Sequence, residues 1–234
     1  SELTLLEIAN NLKNKENLLR IKGIAYKEGN KIIQNPRQEI LKSLDVLCPY
    51  DYEIFSKQVF FKPYNGKVVK GVDYEMSRGC IYSCSYCVET IIQKYYGFDE
   101  KSLTSGAIKN FKSYLRHKSP ENIYSELKFL NQKLLVKLIR CQDTNFLTIS
   151  RDVLIKLSKL IIENPLDIKL YIETRPEGIN EKSIELLKNL KVDGVAMGVE
   201  TADESFREDK LDRFADQEKT IKAFKLLKEN NIKR

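Results

Sequence analysis

Three of the chain's five cysteines crowd into eight residues, in the run Gly79-Cys80-Ile81-Tyr82-Ser83-Cys84-Ser85-Tyr86-Cys87. No other feature constrains the fold as strongly, because three thiols so close together sit in one loop and can converge on one ligand. An odd cysteine count with no secretory leader does not read as a disulfide framework. Metal or redox chemistry in a reducing cytoplasm fits better. A 4Fe–4S cluster held by four cysteines is coordinatively complete and transfers electrons. Held by three, it leaves one iron open, much as a catalytic zinc keeps an unfilled position for its substrate. A zinc site would need a fourth ligand, and no second C-x2-C pair is present. Cys48, Cys141 or the single His117 would have to be recruited from afar. The blandest reading leaves the three thiols as buried bystanders, as Cys48 and Cys141 are expected to be.

The sequence around this motif alternates strands and helices. Residues 1–14 predict a short amphipathic helix, and 20–34 two short strands around Glu28-Gly29-Asn30. Aromatic residues crowd from Cys48 to Tyr64, and a domain boundary is expected near 64–71, where Asn65-Gly66 makes a turn. Strands then follow at 68–76, 134–141, 168–173 and 192–200. Helices are expected from Ser119-Pro120-Glu121 onward and at 153–162, 183–190 and 218–229, with one more strand starting at 231–234. Such alternation predicts a parallel α/β sheet. Polar residues stand where each strand ends: Arg78 and Cys80, Asp143, Glu173 and Arg175, and Glu200. In a β/α barrel those carboxyl ends form the active-site face. A complete eight-fold barrel takes about 250 residues, so four units of a 234-residue chain make a partial, TIM-like barrel. The sequence reads as a piece of something longer.

Composition bounds the rest. Hydrophobic residues make up 42% and charged residues 31%, a globular balance. No apolar run approaches the roughly 18 residues of a membrane span, so no membrane partner is expected. Forty Lys and Arg against 33 Asp and Glu give +7, which raises the question of nucleic acid. The basic residues are scattered among acids, though, and Lys outnumbers Arg, the better phosphate clamp. Solvated helix faces explain that pattern, and His117 reads as a surface residue beside Arg116.

C-x3-C-x2-C with an aromatic before the last cysteine, at the end of the first strand of a β/α domain, resembles the radical S-adenosylmethionine (SAM) superfamily. The resemblance covers residues 72–234. It implies that Cys80, Cys84 and Cys87 hold a 4Fe–4S cluster whose open iron chelates SAM, and that reductive cleavage yields a 5′-deoxyadenosyl radical. It implies an electron donor such as flavodoxin or ferredoxin. Tyr86 resembles the family aromatic near the adenine. Gln142-Asp143-Thr144-Asn145 stands where many members carry Gly-Gly-Glu, and is similar to the Asp-containing version of cobalamin-associated members. Glu173-Thr174-Arg175-Pro176 would orient ribose or the methionine carboxylate, or form a structural ion pair. Met197-Gly198-Val199-Glu200-Thr201 resembles the Gly-hydrophobic-Glu element, in which Glu200 contacts polar groups of SAM.

The N-terminal stretch narrows the class. Gly23-Ile24-Ala25-Tyr26, Leu44-Asp45-Val46-Leu47 and Pro49-Tyr50-Asp51-Tyr52 resemble the linker between a cobalamin-binding domain and a radical SAM core. Residues 1–64 would then be the tail of an upstream domain plus linker, and 65–234 the first part of the core. The resemblance implies cobalamin in the full-length enzyme, with methyl transfer or related C–H chemistry on a small-molecule substrate. The chain holds no Asp-x-His-x-x-Gly cobalamin motif. Two alternatives remain open: a radical SAM enzyme that modifies tRNA (a methylthiotransferase or Elongator-type protein, which would make RNA the partner), and a non-catalytic metal- or cluster-binding module.

Overall fold

The computed structural model describes residues 2–14, 17–102 and 104–233. They fall into two compact units, one ending at Leu41 and the other beginning at Lys42. In the first, helix α1 (Glu2–Asn14) carries one buried residue, Thr4, whose hydroxyl donates to the Lys22 carbonyl. Strands β1 (Ala25–Glu28) and β2 (Lys31–Gln34) pair as a hairpin across Gly29-Asn30. The first strand starts five residues later than the sequence suggests. Asn17 caps a 3-10 turn over Leu18–Arg20 by accepting from the Leu19 amide, and that turn absorbs the preceding residues.

The second unit is an α/β structure with a mostly parallel sheet. Its strands are β3 (Phe61–Tyr64), β4 (Lys67–Tyr74), β7 (Leu138–Cys141), β8 (Lys169–Thr174) and β9 (Val192–Met197), hydrogen-bonded in that order. β3 and β4 form an antiparallel hairpin, and the other three neighbouring pairs are parallel. Asn65 and Gly66 take φ values of 56° and 73°, the left-handed pair that a two-residue hairpin turn requires. This turn lies inside the second unit. The sheet is open among the described residues, and no closed barrel forms. Beyond β9, where the sequence predicts one more strand, Lys233 makes a single parallel bridge to Gly194. The last residue of that predicted strand, Arg234, lies outside the described residues.

Packing explains why one face of the sheet is free for chemistry. Helices α4 (Pro120–Gln132), α5 (Arg151–Glu163), α6 (Glu181–Asn189) and α8 (Gln217–Glu229) supply Leu127, Leu157, Leu187 and Leu227 to a core shared with Val72, Ile139, Leu170 and Val195. Each fully buried side chain of this kind contributes about 1.5–3 kcal/mol. The other face alternates out of the core: Asp73, Arg140, Tyr171 and Gly194 stand in register across four strands. Ser119 caps α4 by accepting from the Asn122 amide, with Pro120 at the first helical position. Two strands are shorter than the apolar runs suggest. Leu135, at φ 54°, turns the chain out of α4, so β7 begins at Leu138. Glu200, at φ 67°, lies beyond the end of β9 at Met197.

Between β4 and α4 runs a long excursion that carries the three cysteines. Its two ends pair as a short ladder, β5 (Ser77–Arg78) with β6 (Arg116–His117), which leaves His117 half-buried rather than on the surface. Helices α2 (Val88–Tyr95) and α3 (Phe111–Tyr114) lie inside it. Helix α7 (Glu204–Leu211) follows β9 and is tied down by Arg207, a fully buried guanidinium that donates to the Thr201 and Ala215 carbonyls. Cys48 is exposed, not buried, while Cys141 sits in the core.

Candidate active site

The cysteine loop leaves β5 through Gly79, whose φ of +96° and close approach to Tyr114 leave no room for a Cβ: one would meet the Tyr114 ring and carbonyl at 3.0 Å. The chain then turns so that Cys80 and Cys84 are buried and Cys87 half-buried at the N-cap of α2. Gln93, fully buried on α2, pins the loop from beneath. Its amide donates to the Cys80 and Tyr82 carbonyls, both at 2.9 Å, and its oxygen accepts from the Ser83 hydroxyl. Main-chain bonds from Ser83 to the Gly106 carbonyl and from Ser85 to the Leu211 carbonyl fix the other side.

All three thiols line one cavity of about 200 Å³, together with Tyr82, Tyr86, Thr144, Asn145, Glu173, Arg175, Gly198, Glu200 and Arg213. The cavity lies beyond the carboxyl ends of β7, β8 and β9, as the strand pattern predicts. Among the described residues, no three His, Cys, Asp or Glu side chains close on a single metal ion. The thiols surround a larger space instead. Burial pushes the Cys80 thiol up to about 11, so a thiolate there needs compensating positive charge. Two N–H groups already point at sulfur: the Tyr82 amide at 3.4 Å from Cys80 Sγ, and Arg175 Nη1 at 3.6 Å from Cys84 Sγ. Donors to the sulfurs are a recurring feature of iron–sulfur ligation. Three thiols lining one cavity, with N–H donors on two of the sulfurs, make a donor set that suits a multi-iron cluster.

Of the residues singled out in the sequence, Tyr86, Glu173, Arg175 and Glu200 join the cysteines here. Arg175 is buried, but its ion-pair partner is Glu177 at 2.5 Å, not Glu173. Its guanidinium also stacks on Tyr82, 3.7 Å from the ring centroid. Glu173 is exposed, lines the cavity wall and makes no hydrogen bond or ion pair with the described residues. Arg213, far along the chain, is 4% exposed. It lies 3.4 Å from the Tyr86 hydroxyl and 3.8 Å from Glu200, and donates to the Gly198 carbonyl. Nothing in Leu211-Asp212-Arg213-Phe214 marks it in the sequence. Only the fold brings it back.

Asp143 does not line the cavity. It is 1% exposed behind the loop, where one oxygen accepts from the Met76 amide, the Ser77 amide and the Ser77 hydroxyl, the latter two at 2.6 Å. Its other oxygen is buried without a partner. Burial raises its carboxyl to about 6. The folded state therefore holds this proton more tightly than the unfolded chain, whose carboxyl titrates near 3.8. The stabilisation, about 3 kcal/mol, is fully present below pH 4 and lost as pH rises through 6. Asp143→Asn keeps the accepting oxygen and removes the titration. Melting curves between pH 4.5 and 7 should fall with pH in the wild type relative to the variant; parallel profiles would contradict this placement.

The sequence pattern of the Radical SAM superfamily matches residues 74–234. The chain belongs to that superfamily. This radical SAM chain is 25% identical over 204 residues to an uncharacterized methyltransferase of Pyrococcus horikoshii, covering 86% of this chain and 39% of that protein. It is 24% identical over 239 residues to the anaerobic magnesium-protoporphyrin IX monomethyl ester cyclase of Synechocystis, covering 99% and 42%. The chain thus spans about two-fifths of the length of these relatives. Among solved structures, it superposes on the radical SAM methyltransferase TsrM of Kitasatospora setae, with tryptophan and a SAM analogue bound, at a TM-score of 0.71 and 15% identity. That match covers 99% of this chain and 43% of TsrM. The cobalamin-dependent radical enzyme OxsB, with aqua-cobalamin bound, gives 0.63 at 17% identity, covering 98% and 31%. At such identities the likeness speaks for the fold.

Proposed function

We propose that this chain builds the cluster and SAM site of a cobalamin-associated radical SAM enzyme, with Cys80, Cys84 and Cys87 as the cluster ligands. The observation that carries this reading is the cavity itself, where three thiols, two N–H donors to sulfur and opposed carboxylates and guanidinia surround one space. A 4Fe–4S cluster bound there supplies an open iron and one electron for reductive cleavage of SAM to a 5′-deoxyadenosyl radical.

The protein's residues position and select. Glu173, unpaired on the wall, suits an ammonium group. Arg213 suits a carboxylate, with Tyr86 and Glu200 holding it in place and offering further polar contacts. Arg175 is committed to Glu177 and Tyr82, so its part is to place positive charge beside Cys84. Asp143 shapes the loop from behind.

The parallel strands are read as the first part of a partial β/α barrel of the radical SAM type. Residues 1–64 are read as linker and tail of a cobalamin-binding-like domain, and 65–234 as the core. Methyltransferases among the relatives and neighbours support methyl transfer to a small-molecule substrate, with cobalamin held elsewhere in the full-length enzyme. Five free cysteines suit a reducing cytoplasm, and no helix among the described residues is long and apolar enough to cross a membrane.

The direct test is anaerobic reconstitution, followed by iron and sulfide analysis and electron paramagnetic resonance of the reduced protein with and without SAM. About four irons per chain and a spectrum that changes with SAM are expected. Bound zinc, or a cluster blind to SAM, would overturn the reading.

A further inference from the structure

The free face of the sheet carries a second cavity, of about 430 Å³, that the reading above does not use. Pro63, Tyr64, Asn65, Arg140, Tyr171 and Lys233 line it, so two cations and no carboxylate border the space. It lies one step along the strands from the thiol cavity. Tyr171 pairs with Gly194 across β8 and β9, and the next pair on the same face, Glu173 with Ala196, lines the thiol cavity. Side chains two residues apart on a strand share a face and stand about 7 Å apart. A small molecule can therefore reach from one cavity into the other.

The walls of this second cavity are fixed. Tyr64 reaches across to β9, where its hydroxyl donates to Asp193 at 2.8 Å, and a Cβ on Gly194 would meet that hydroxyl at 2.6 Å. Its ring meets Tyr171 edge to face, with centroids 5.9 Å apart. The carboxylates nearby are already engaged. Asp73 pairs with Lys62 at 2.7 Å and accepts from Gln142, and Asp193 pairs with both Lys169 and Lys233. Arg140 has only a 3.7 Å approach of its Nε to Asp73. Among the described residues, both terminal nitrogens of Arg140 and the Tyr171 hydroxyl are without a partner. A guanidinium left in that state offers two parallel donors matched to a carboxylate or phosphate.

We propose that Arg140 selects the substrate, and that the substrate is a small molecule bearing an oxyanion, carboxylate or phosphate. The oxyanion is held by Arg140, the body of the molecule lies against Tyr171 and Tyr64, and the reacting carbon extends toward the thiol cavity. The inference deepens the reading above and rests on it. Arg140 touches the substrate far from the reacting atoms, so it governs which molecule enters and not how the radical forms.

The test uses the full-length protein, cluster-loaded, oxidised and saturated with SAM so that Arg213 is already occupied. Benzoate, phenyl phosphate and the neutral isostere benzamide are titrated by ligand-observed nuclear magnetic resonance. The wild type should bind at least one of the two oxyanions about tenfold more tightly than benzamide. Arg140→Met should abolish that preference, and Arg140→Lys, a point charge without the planar fork, should restore only part of it. In both variants SAM affinity should stay within about twofold of the wild type and the melting temperature should hold, because a part-exposed ion pair contributes little. A wild type with no preference for an oxyanion, or a preference that survives Arg140→Met, would overturn the proposal. So would loss of SAM binding in Arg140→Met, which would place Arg140 in the SAM site. Failure of SAM to bind the wild type would instead bring down the cluster reading, and this proposal with it.

Discussion

Replacing Cys84 by Ala should reduce iron after reconstitution from about four per chain to below one, while Cys141→Ala should leave it near four. The two residues are similarly buried thiols, so burial alone does not separate them. What separates them is what each faces. Cys84 lines the cavity with Arg175 Nη1 on its sulfur. Cys141 ends β7 inside the hydrophobic core, with its thiol pushed well up by complete burial and by Asp143. It is a small hydrophobe there, and removing its sulfur should cost about 1–2 kcal/mol of stability without touching the site. Iron analysis of both variants beside their melting curves gives the answer. Equal loss of iron would undo the three-ligand assignment.

The contrast shows which parts of this molecule its sequence announces. The cysteine spacing is local chemistry, and the strand ends that surround it follow from hydrophobic periodicity. That Cys80, Cys84, Cys87, Glu173, Arg175 and Glu200 come to one cavity is therefore legible in the order of residues, whereas Tyr86 is singled out only by the family resemblance. Element existence is legible for the same reason: long apolar runs can only bury themselves as strands or helices of one type. Boundaries are less so. The residues before Leu138 are apolar enough for a strand, yet the turn at Leu135 claims them.

Helix α2 illustrates the opposite failure. Its apolar stripe faces away from the core, so periodicity gives no hint of where it packs, and the cysteine motif at its head draws attention from it. Asp143 fails differently again. Its position at a strand end suggests a ligand, but a side chain one residue from the cavity lining can turn behind the loop, and three donors from Met76 and Ser77 hold it there. Arg213 is invisible in the sequence because it acquires its role only through tertiary placement, whereas Glu177 pairs with Arg175 two residues away. Arg213 reaches Tyr86 across 127 positions of sequence.

Gln93 carries the second large effect, because it controls the site without offering a ligand. Substituting Leu should cripple cluster uptake although every thiol remains. The side chain is fully buried and serves three groups of the cysteine loop: the Cys80 carbonyl, the Tyr82 carbonyl and the Ser83 hydroxyl. Leu fills similar space and satisfies none of them. Each buried group left unpaired costs about 1–3 kcal/mol, so roughly 3 kcal/mol or more falls on one loop, which opens locally before the sheet does. Iron per chain should drop about tenfold, and hydrogen exchange should quicken across residues 80–87 while the core strands keep their protection. Gln93→Glu keeps the acceptor for Ser83 but loses both donors to carbonyls, so it should fall between the two. A Gln93→Leu protein that takes up iron like the wild type would show that the thiols are positioned by something other than α2.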